Sequence, residues 1–230
     1  MRRFASSGDS ASREALAALC ESYWYPLYAF ACRTGLDSQD ASDGVQGFFA
    51  YLLENHTEGG SGLDGADPNL GRFRSYLIGA FRNYLSNRRR YEDAAKRGGG
   101  EVPLSWDSEE GPRRYALEPQ DDETPEALFE RRWALALLDA ALGSLEREYE
   151  KLGKGELFRR LKPFLTGETR RGAAKELAAE KNLTEGAARV AVHRLRKRFG
   201  EILQWEVAQT VTSEDQIEPE LRHLMSVLRS

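Results

Sequence analysis

The spacing of apolar residues is the feature that most restricts what this chain can fold into. They recur at intervals of three and four positions, beginning with Leu16, Leu19, Tyr23, Leu27 and Phe30. This interval places side chains on one face of an α-helix, whereas a half-buried strand would alternate apolar and polar residues. No such alternation stands out. The sequence therefore predicts an all-α chain.

Local signals indicate where the first helices begin and end. Gly35 is expected to end the first helix in a left-handed conformation. Asp37 or Ser38 can cap a second helix that stops near Asn55. A third helix is expected from about Leu70, losing its regularity in the sequence RRRYEDAAKRGGG. Three helices with short to moderate loops make an N-terminal bundle.

The middle of the chain changes character. Residues 98–123 contain three consecutive glycines, three prolines and many acids, which is typical of a linker between two small helical domains. The acids either keep a tether soluble or cover the basic surfaces of the domains, and both alternatives stay open. The predicted division is a first domain at 12–97, an acidic linker at 98–123, a second domain at 124–209 and a tail helix at 210–230.

The second domain opens with a strong start signal. Thr124 followed by Pro125 predicts a capped helix that runs to about Leu152. Shorter helices are expected after it, and the amphipathic piece Pro219–Leu228 is expected to dock on this same domain.

Basic residues are segregated along the chain, although the formal net charge is -4. Between Arg82 and Arg97 there are six basic residues against two acids, and between Arg189 and Arg198 there are five with no acid. Local positive faces, rather than the sum, decide whether a phosphate backbone is attracted. The charge pattern therefore favours nucleic acid as a partner.

The segment Ala173–Phe199 has the spacing of a helix-turn-helix. A short helix, a turn through Lys181–Leu183 and a helix capped by Thr184 follow one another. Residues near the start of the second helix can meet base edges, while cations farther along contact phosphate. The base-edge candidates are Thr184, Glu185, Ala187 and Arg189, and the further DNA-binding candidates are His193, Arg194, Arg196 and Arg198. An ordinary basic helix on a protein-binding bundle is the weaker alternative.

Other classes of protein find little support. No apolar run approaches the length of a membrane span, and the N-terminus has no apolar signal core, so we expect a cytoplasmic protein without a membrane partner. The two cysteines and three histidines lack the spacing of a metal site, and no phosphate-binding glycine loop follows a strand. We therefore predict neither a cofactor nor an enzymatic activity.

Two motifs resemble those of RNA polymerase sigma factors of the extracytoplasmic-function type. LTEGAARVAVHRLRKRF is similar to their region 4, the domain that reads the minus-35 element of the promoter, with matches at Thr184, Gly186, His193, Arg194 and Arg196. The Tyr25–Tyr28 and Asp40–Gln46 segments resemble region 2. Together with the stretches PLYAF, ADPNLGRFRSYL and RWALALLD, the combination looks most like sigma factors of planctomycete-type bacteria.

The resemblance implies roles for particular residues. Asp40, Asp43 and Gln46 would contact the beta-prime clamp helices of the polymerase core, although Asp40 and Asp43 also suit the first turn of any helix. Gly44 and Gly47 depart from the family, which usually has Leu and Glu there. The residues that would hold the melted minus-10 strand are Arg72, Arg74, Tyr76, Arg82, Asn83, Asn87 and Arg88.

The expected function is thus promoter recognition as a polymerase subunit. The partners would be promoter DNA and the RNA polymerase core, and an anti-sigma factor or a kinase-linked regulator could control the chain. The alternative is a helix-turn-helix regulator that binds duplex DNA without joining the polymerase. An adaptor that binds only protein would not need two separate basic helices.

Overall fold

The computed structural model describes residues 22–57, 73–95, 110–118, 123–167, 173–180, 184–211 and 213–229. Every regular element within these ranges is helical, which confirms the all-α prediction for the described part of the chain. None of the helices found there has both the length and the apolar character needed to cross a bilayer.

Helix α1 is described over residues 22–33. The other helices are α2 (Ser38–Thr57), α3 (Phe73–Ala95), α4 (Glu110–Tyr115), α5 (Pro125–Lys151), α6 (Gly155–Leu161), α7 (Pro163–Thr166), α8 (Ala173–Glu180), α9 (Glu185–Thr210) and α10 (Ile217–Val227), with a 3-10 turn at Glu214–Gln216 before α10. Helix α3 continues through the arginine run in which we expected it to lose regularity. Arginine is a good helix former, so the run extends the helix.

The predicted signals at the first two helices are confirmed. Gly35 has a φ of 96°, and the N–H of Leu36 reaches back to the carbonyl of Ala31 at 3.3 Å, closing the end of α1. Of the two candidate caps for α2, Asp37 performs the role, because its Oδ1 accepts a hydrogen bond from the N–H of Asp40 at 2.8 Å.

Threonine caps begin both long helices of the second half. Thr124 Oγ1 accepts from the N–H of Ala127 at 3.2 Å, and Thr184 Oγ1 accepts from the N–H of Ala187, also at 3.2 Å. Both caps are as the sequence predicted. They fix the residue at which α5 and α9 begin.

The described chain forms two compact units whose boundaries differ from the predicted domains. Unit 1 contains the described residues up to Ala136 and from Ala208 onward, and unit 2 is Leu137–Val207. Both boundaries fall inside long helices, α5 and α9, rather than in the stretch 98–123. The start of α5 belongs to unit 1 because of its packing against α1. Its Phe129 and Trp133 are buried, and Tyr23 of α1 contacts both. The rings of Tyr23 and Phe129 are 6.4 Å apart, and Trp133 donates a hydrogen bond of 3.0 Å to the Tyr23 hydroxyl.

An aromatic core holds the three long helices of unit 1. Phe81 of α3 lies 5.1 Å from Phe48 of α2 and 6.2 Å from Phe30 of α1, measured between ring centroids, and all three rings are buried. Leu27 and Leu77 complete the cluster without exposure to solvent. The helical stripes seen in the sequence therefore converge on one core.

Part of the predicted linker belongs to this unit. A Cβ atom at Gly111 of α4 would come within 2.7 Å of the indole of Trp24, so the glycine permits close contact with α1. Just after α4, the buried carboxylate of Glu118 accepts a hydrogen bond of 2.6 Å from Tyr25 and pairs with Arg132. Residues 110–118 are thus packed structure and not a tether, because their acid is satisfied inside unit 1.

The tail helix also belongs to unit 1, where it contacts the start of α5, in the predicted second domain, and also α3, in the predicted first domain. Glu220 of α10 is 2% exposed and accepts a hydrogen bond of 2.6 Å from Arg74 of α3. His223 lies 2.9 Å from a carboxylate oxygen of Glu130, and its ring is tilted by 41° against that of Trp133 at a centroid distance of 6.2 Å. Polar partners on α3 and α5, which the amphipathic pattern alone does not reveal, select this docking position.

Unit 2 is built around the second half of α5. Its core includes Leu145 of α5, Phe158 and Leu161 of α6, Leu177 of α8 and Leu195 of α9, each at most 5% exposed. Tyr149 supports Phe158 at a ring distance of 5.5 Å. Helices α8 and α9 are thereby held on a packed platform.

Candidate nucleic-acid interface

Helix α9 has one buried face in its first turns. Ala188, Val192 and Leu195 are 0%, 8% and 0% exposed, and their spacing of four and three residues aligns them on one side of the helix. Leu177 and Ala178 of α8 are also buried in unit 2. This burial agrees with the helix contact expected for a helix-turn-helix, although the turn at 181–183 lies outside the described residues.

The opposite face of α9 is cationic and exposed. His193 and Arg194 lie on this face, and Arg189 is exposed at its edge, next to the buried Ala188. Arg189 pairs with Glu185 one turn earlier at 2.6 Å, and the side chains are 72% and 47% exposed. An ion pair that is so exposed to water contributes little to stability. The guanidinium can therefore exchange its carboxylate partner for another anion at a small cost in free energy.

Two predicted DNA contacts have other partners in unit 2. Arg196 donates to the carbonyl oxygen of Phe164 through Nε at 3.3 Å and Nη2 at 3.0 Å. Arg198 holds Glu148 of α5 through three hydrogen bonds of 2.8–3.0 Å and Glu201 through a fourth at 3.0 Å. The carboxylates of Glu148 and Glu201 raise the pKa of Arg198 above its ordinary value. Arg196 and Arg198 therefore hold α9 against its neighbours in unit 2. The exposed face of the helix lies between these two side chains.

The remaining base-edge candidates lie at the start of α9. Thr184, Glu185 and Ala187 are exposed, and the hydroxyl of Thr184 is occupied by the cap. The sequence analysis missed Val190, which is 49% exposed, and Lys197, whose side chain is 73% exposed. Locating the buried stripe on the helix would have found them, because residues two positions from Ala188, Val192 and Leu195 point away from it.

The candidates for binding the minus-10 strand also include both a buried residue and exposed ones. Arg74 is 3% exposed, and its guanidinium pairs with Glu130 and Glu220 and lies 4.9 Å from the ring centroid of Trp133. The prediction that Arg74 binds DNA is therefore wrong for this structure. A cation enclosed by two carboxylates and an indole has no free donor surface for a phosphate.

Other residues of the predicted set remain on the surface of α3. Asn83 and Asn87 are exposed, and Tyr76 is partly exposed seven residues before Asn83, which places the three on one side of the helix. Arg90 is exposed and continues this side. The prediction for Arg72 lies outside the described residues, as do residues 58–69 of the loop expected to precede α3.

A groove of about 550 Å³ opens beside α3 in unit 1. Arg82, Arg88 and Arg89 line it together with Asp40 and Glu126. Arg82 pairs with Glu126, and both side chains are at least half exposed. The groove thus carries three cations against two acids, and Arg89 was absent from the predicted set although it stands within the arginine run.

The candidates for polymerase contact are spaced along one stretch of α2. Asp40 faces the groove, whereas Asp43 accepts a hydrogen bond from Gln39 at 3.1 Å and Gln46 donates to Ser42 at 3.2 Å. These bonds run along the helix surface. Asp40, Asp43 and Gln46 follow one another at intervals of three residues and form one polar strip along α2.

Gly44 and Gly47 bring α2 close to α3. A Cβ atom at Gly44 would lie 2.9 Å from Leu85 Cδ2 and 3.6 Å from a guanidinium nitrogen of Arg88, and one at Gly47 would lie 2.3 Å from the hydroxyl of Tyr84. A side chain at either position would require the end of the Leu85 or Tyr84 side chain to move.

We expect Gly47→Ala to destabilise unit 1 by about 1 kcal/mol, because overpacking at Tyr84 outweighs the gain in helix propensity. The matched control is Gly79→Ala in α3, where a Cβ would meet nothing within 4 Å. The control should be stabilised by about 0.5–1 kcal/mol. Urea denaturation measures both, and equal stabilisation of the two variants would show that the helices are not in close contact at Gly47.

Two further findings limit the chemistry of the described residues. In these ranges no group of His, Cys, Asp and Glu side chains is arranged to hold a metal ion. Cys32 is half-buried, and burial raises the pKa of its thiol, which disfavours the reactive thiolate at neutral pH.

Comparison of the chain with protein-family models, curated proteins and solved structures returns no match. The candidate interface therefore depends on its own geometry and charge.

Proposed function

We propose that this chain is a sigma factor of the extracytoplasmic-function type, which joins bacterial RNA polymerase and directs it to promoters. The observation that carries the proposal is the exposed cationic face of α9, with Arg189, His193 and Arg194 on a capped helix preceded by α8. A face of this shape and charge suits the major groove of duplex DNA. In this proposal the chain works in the cytoplasm, needs no cofactor and catalyses no reaction itself.

Unit 2 would read the minus-35 duplex. Thr184, Glu185 and Ala187 stand at the start of α9, where a recognition helix approaches base edges, and Arg189 follows one turn later. His193, Arg194 and Lys197 lie farther along and suit phosphate contacts. Arg196 and Arg198 contribute indirectly by holding α9 against α7 and α5.

Unit 1 would bind the polymerase core and the melted minus-10 strand. Asp43 and Gln46 supply the polar strip on α2, while Arg82, Asn83, Asn87 and the arginine run supply donors on α3. Flexible cations along a groove can follow a single-stranded backbone. Support for this half comes from the exposed donors of α3, with Arg74 excluded.

The test separates the two activities. We expect Arg189→Ala to reduce run-off transcription from a promoter by about 5- to 150-fold, since a good base contact is worth about 1–3 kcal/mol, and to leave core binding unchanged. The variant Asp43→Ala/Gln46→Ala should lose core binding in a pull-down, and run-off transcription with it, while the free chain binds the minus-35 duplex as weakly or strongly as the parent does. Arg159→Ala is the control for Arg189, because it removes an arginine of similar exposure (70%) on α6 of the same unit.

Two outcomes would count against the proposal. Equal loss of both activities in both variants would refute the division of labour. Tight, sequence-specific binding to duplex DNA without any binding to the polymerase core would instead favour the alternative, a helix-turn-helix regulator.

A further inference from the structure

Val190 is an exposed apolar residue on α9, at the N-terminal edge of a surface that carries Arg194 and Lys197. It is 49% exposed, whereas Val192, two residues later, is 8% exposed in the core of unit 2. On the same side of α9, Gly186 and Ala187 precede it by four and three residues, and His193, Arg194 and Lys197 follow it by three, four and seven; all are exposed. Single exposed apolar residues are common, so the position within this surface is what matters.

The neighbours of Val190 limit what it can contact. Arginine and lysine have long side chains that reach phosphates and purine edges on either side of the helix. Valine is short and its χ1 angle is restricted, so it can contact only the part of a DNA groove that directly faces this side of the helix. It loses little conformational entropy in such a contact, unlike the long cations around it.

The chemistry of valine then indicates which group in the major groove it can contact. Valine has no hydrogen-bond donor or acceptor, so it gains nothing from the polar edges of guanine, adenine or cytosine. The major groove displays one apolar group among the standard bases, the C5-methyl of thymine. The same methyl appears on 5-methylcytosine.

We propose that Val190 is a specificity-determining residue that reads a pyrimidine C5-methyl group in the major groove. The inference rests on the proposed function, because it assigns a preference to the same face of α9. It adds a base identity that neither the cations nor the cap can supply, since thymine and uracil differ only in this methyl.

The experiment starts from the full chain bound to bacterial core polymerase. A library of duplexes randomised upstream of a fixed minus-10 element is selected for binding, and each thymine of the selected sequence is then replaced singly by deoxyuracil. At one thymine we expect about a fourfold loss of affinity, the value of one buried methyl group. In Val190→Ala this penalty should fall to near onefold.

Two additional arms make the result specific. Cytosine at the sensitive position should bind more weakly than 5-methylcytosine for the parent chain and equally for Val190→Ala, which identifies the methyl as the ligand in either base. Leu152→Ala is the matched control, because Leu152 is an exposed apolar residue (60%) of the same unit on the turn after α5. It should leave the uracil scan unchanged.

Failure of this inference differs from failure of the proposed function. If a sequence is selected but no thymine is sensitive to uracil, or the sensitivity persists in Val190→Ala, Val190 does not read the methyl and the sigma proposal stands. If no sequence is enriched at all, the proposed function fails and this inference with it. Circular dichroism establishes that Val190→Ala is folded before the scan.

Discussion

Replacing Arg74 by methionine is expected to lower the free energy of unfolding by about 3–5 kcal/mol, the usual effect of removing one partner of a buried ion pair. The loss arises because Glu220, at 2% exposure, keeps a charge without the cation that compensates it. Methionine is shorter than arginine, but it is unbranched and adapts to irregular gaps, so the cavity contribution is smaller than for alanine. Urea denaturation followed by tryptophan fluorescence measures the change.

A double variant tests whether the uncompensated charge of Glu220 causes the loss of stability. Arg74→Met/Glu220→Met replaces both charges by apolar groups and should recover most of the lost stability. The control is Arg222→Met in α10, which removes an arginine that is 72% exposed and pairs only at 3.5 Å with Glu218. Its effect should stay below about 1 kcal/mol. If Arg74→Met were as stable as the parent and lost promoter binding, Arg74 would be a DNA contact, as the sequence suggested.

The second large effect is expected at Phe81. Phe81→Ala should destabilise unit 1 by about 3–5 kcal/mol, because the ring is fully buried between Phe48 and Phe30 and its removal leaves a cavity. Asn83→Ala, two residues later on the exposed side of α3, should change stability by less than about 0.5 kcal/mol. The same denaturation experiment compares them.

Phe81→Leu separates packing from base stacking. Leucine keeps most of the buried volume, so the loss of stability should be below about 1.5 kcal/mol. A stacked ring would be worth about 1–3 kcal/mol in binding to single-stranded DNA, whereas a buried ring contributes nothing directly. We expect unchanged binding of the melted strand by the Phe81→Leu holoenzyme. A tenfold loss with intact stability would place the ring on the DNA surface.

The arginines in this chain have two different roles. Arg74 and Arg198 are held by carboxylates and fix one element against another within their units. Arg189 and Arg82 are paired only through exposed carboxylates and can exchange them for phosphate. Composition counts all four equally, and only their surroundings distinguish them.

The end signals of the helices were readable from the sequence because they are local. Asp37, Thr124 and Thr184 cap the helices that follow them through bonds to the backbone three residues later. Gly35 ends α1 because its backbone tolerates a positive φ. None of these interactions depends on a distant part of the chain, so the pattern of residues was sufficient.

Long-range pairing was not readable in this way. Arg74 and Glu220 are 146 residues apart, and Tyr25 and Glu118 are 93 apart, yet each pair meets inside unit 1. These contacts include residues 110–118, which were predicted to be linker, in unit 1, and they connect the tail helix to α3 as well as to α5. They also removed one arginine from the candidate DNA surface.

The sequence by itself determined the helical character of the described chain, the starts of its long helices and the buried stripe of α9, because these follow from side-chain periodicity and from bonds to neighbouring backbone. The tertiary structure decided which arginines face water, where α10 docks and how closely α2 approaches α3. Those outcomes depend on which charges are neutralised and which atoms fill the space beside Gly47, and such conditions are set by residues far apart in the chain.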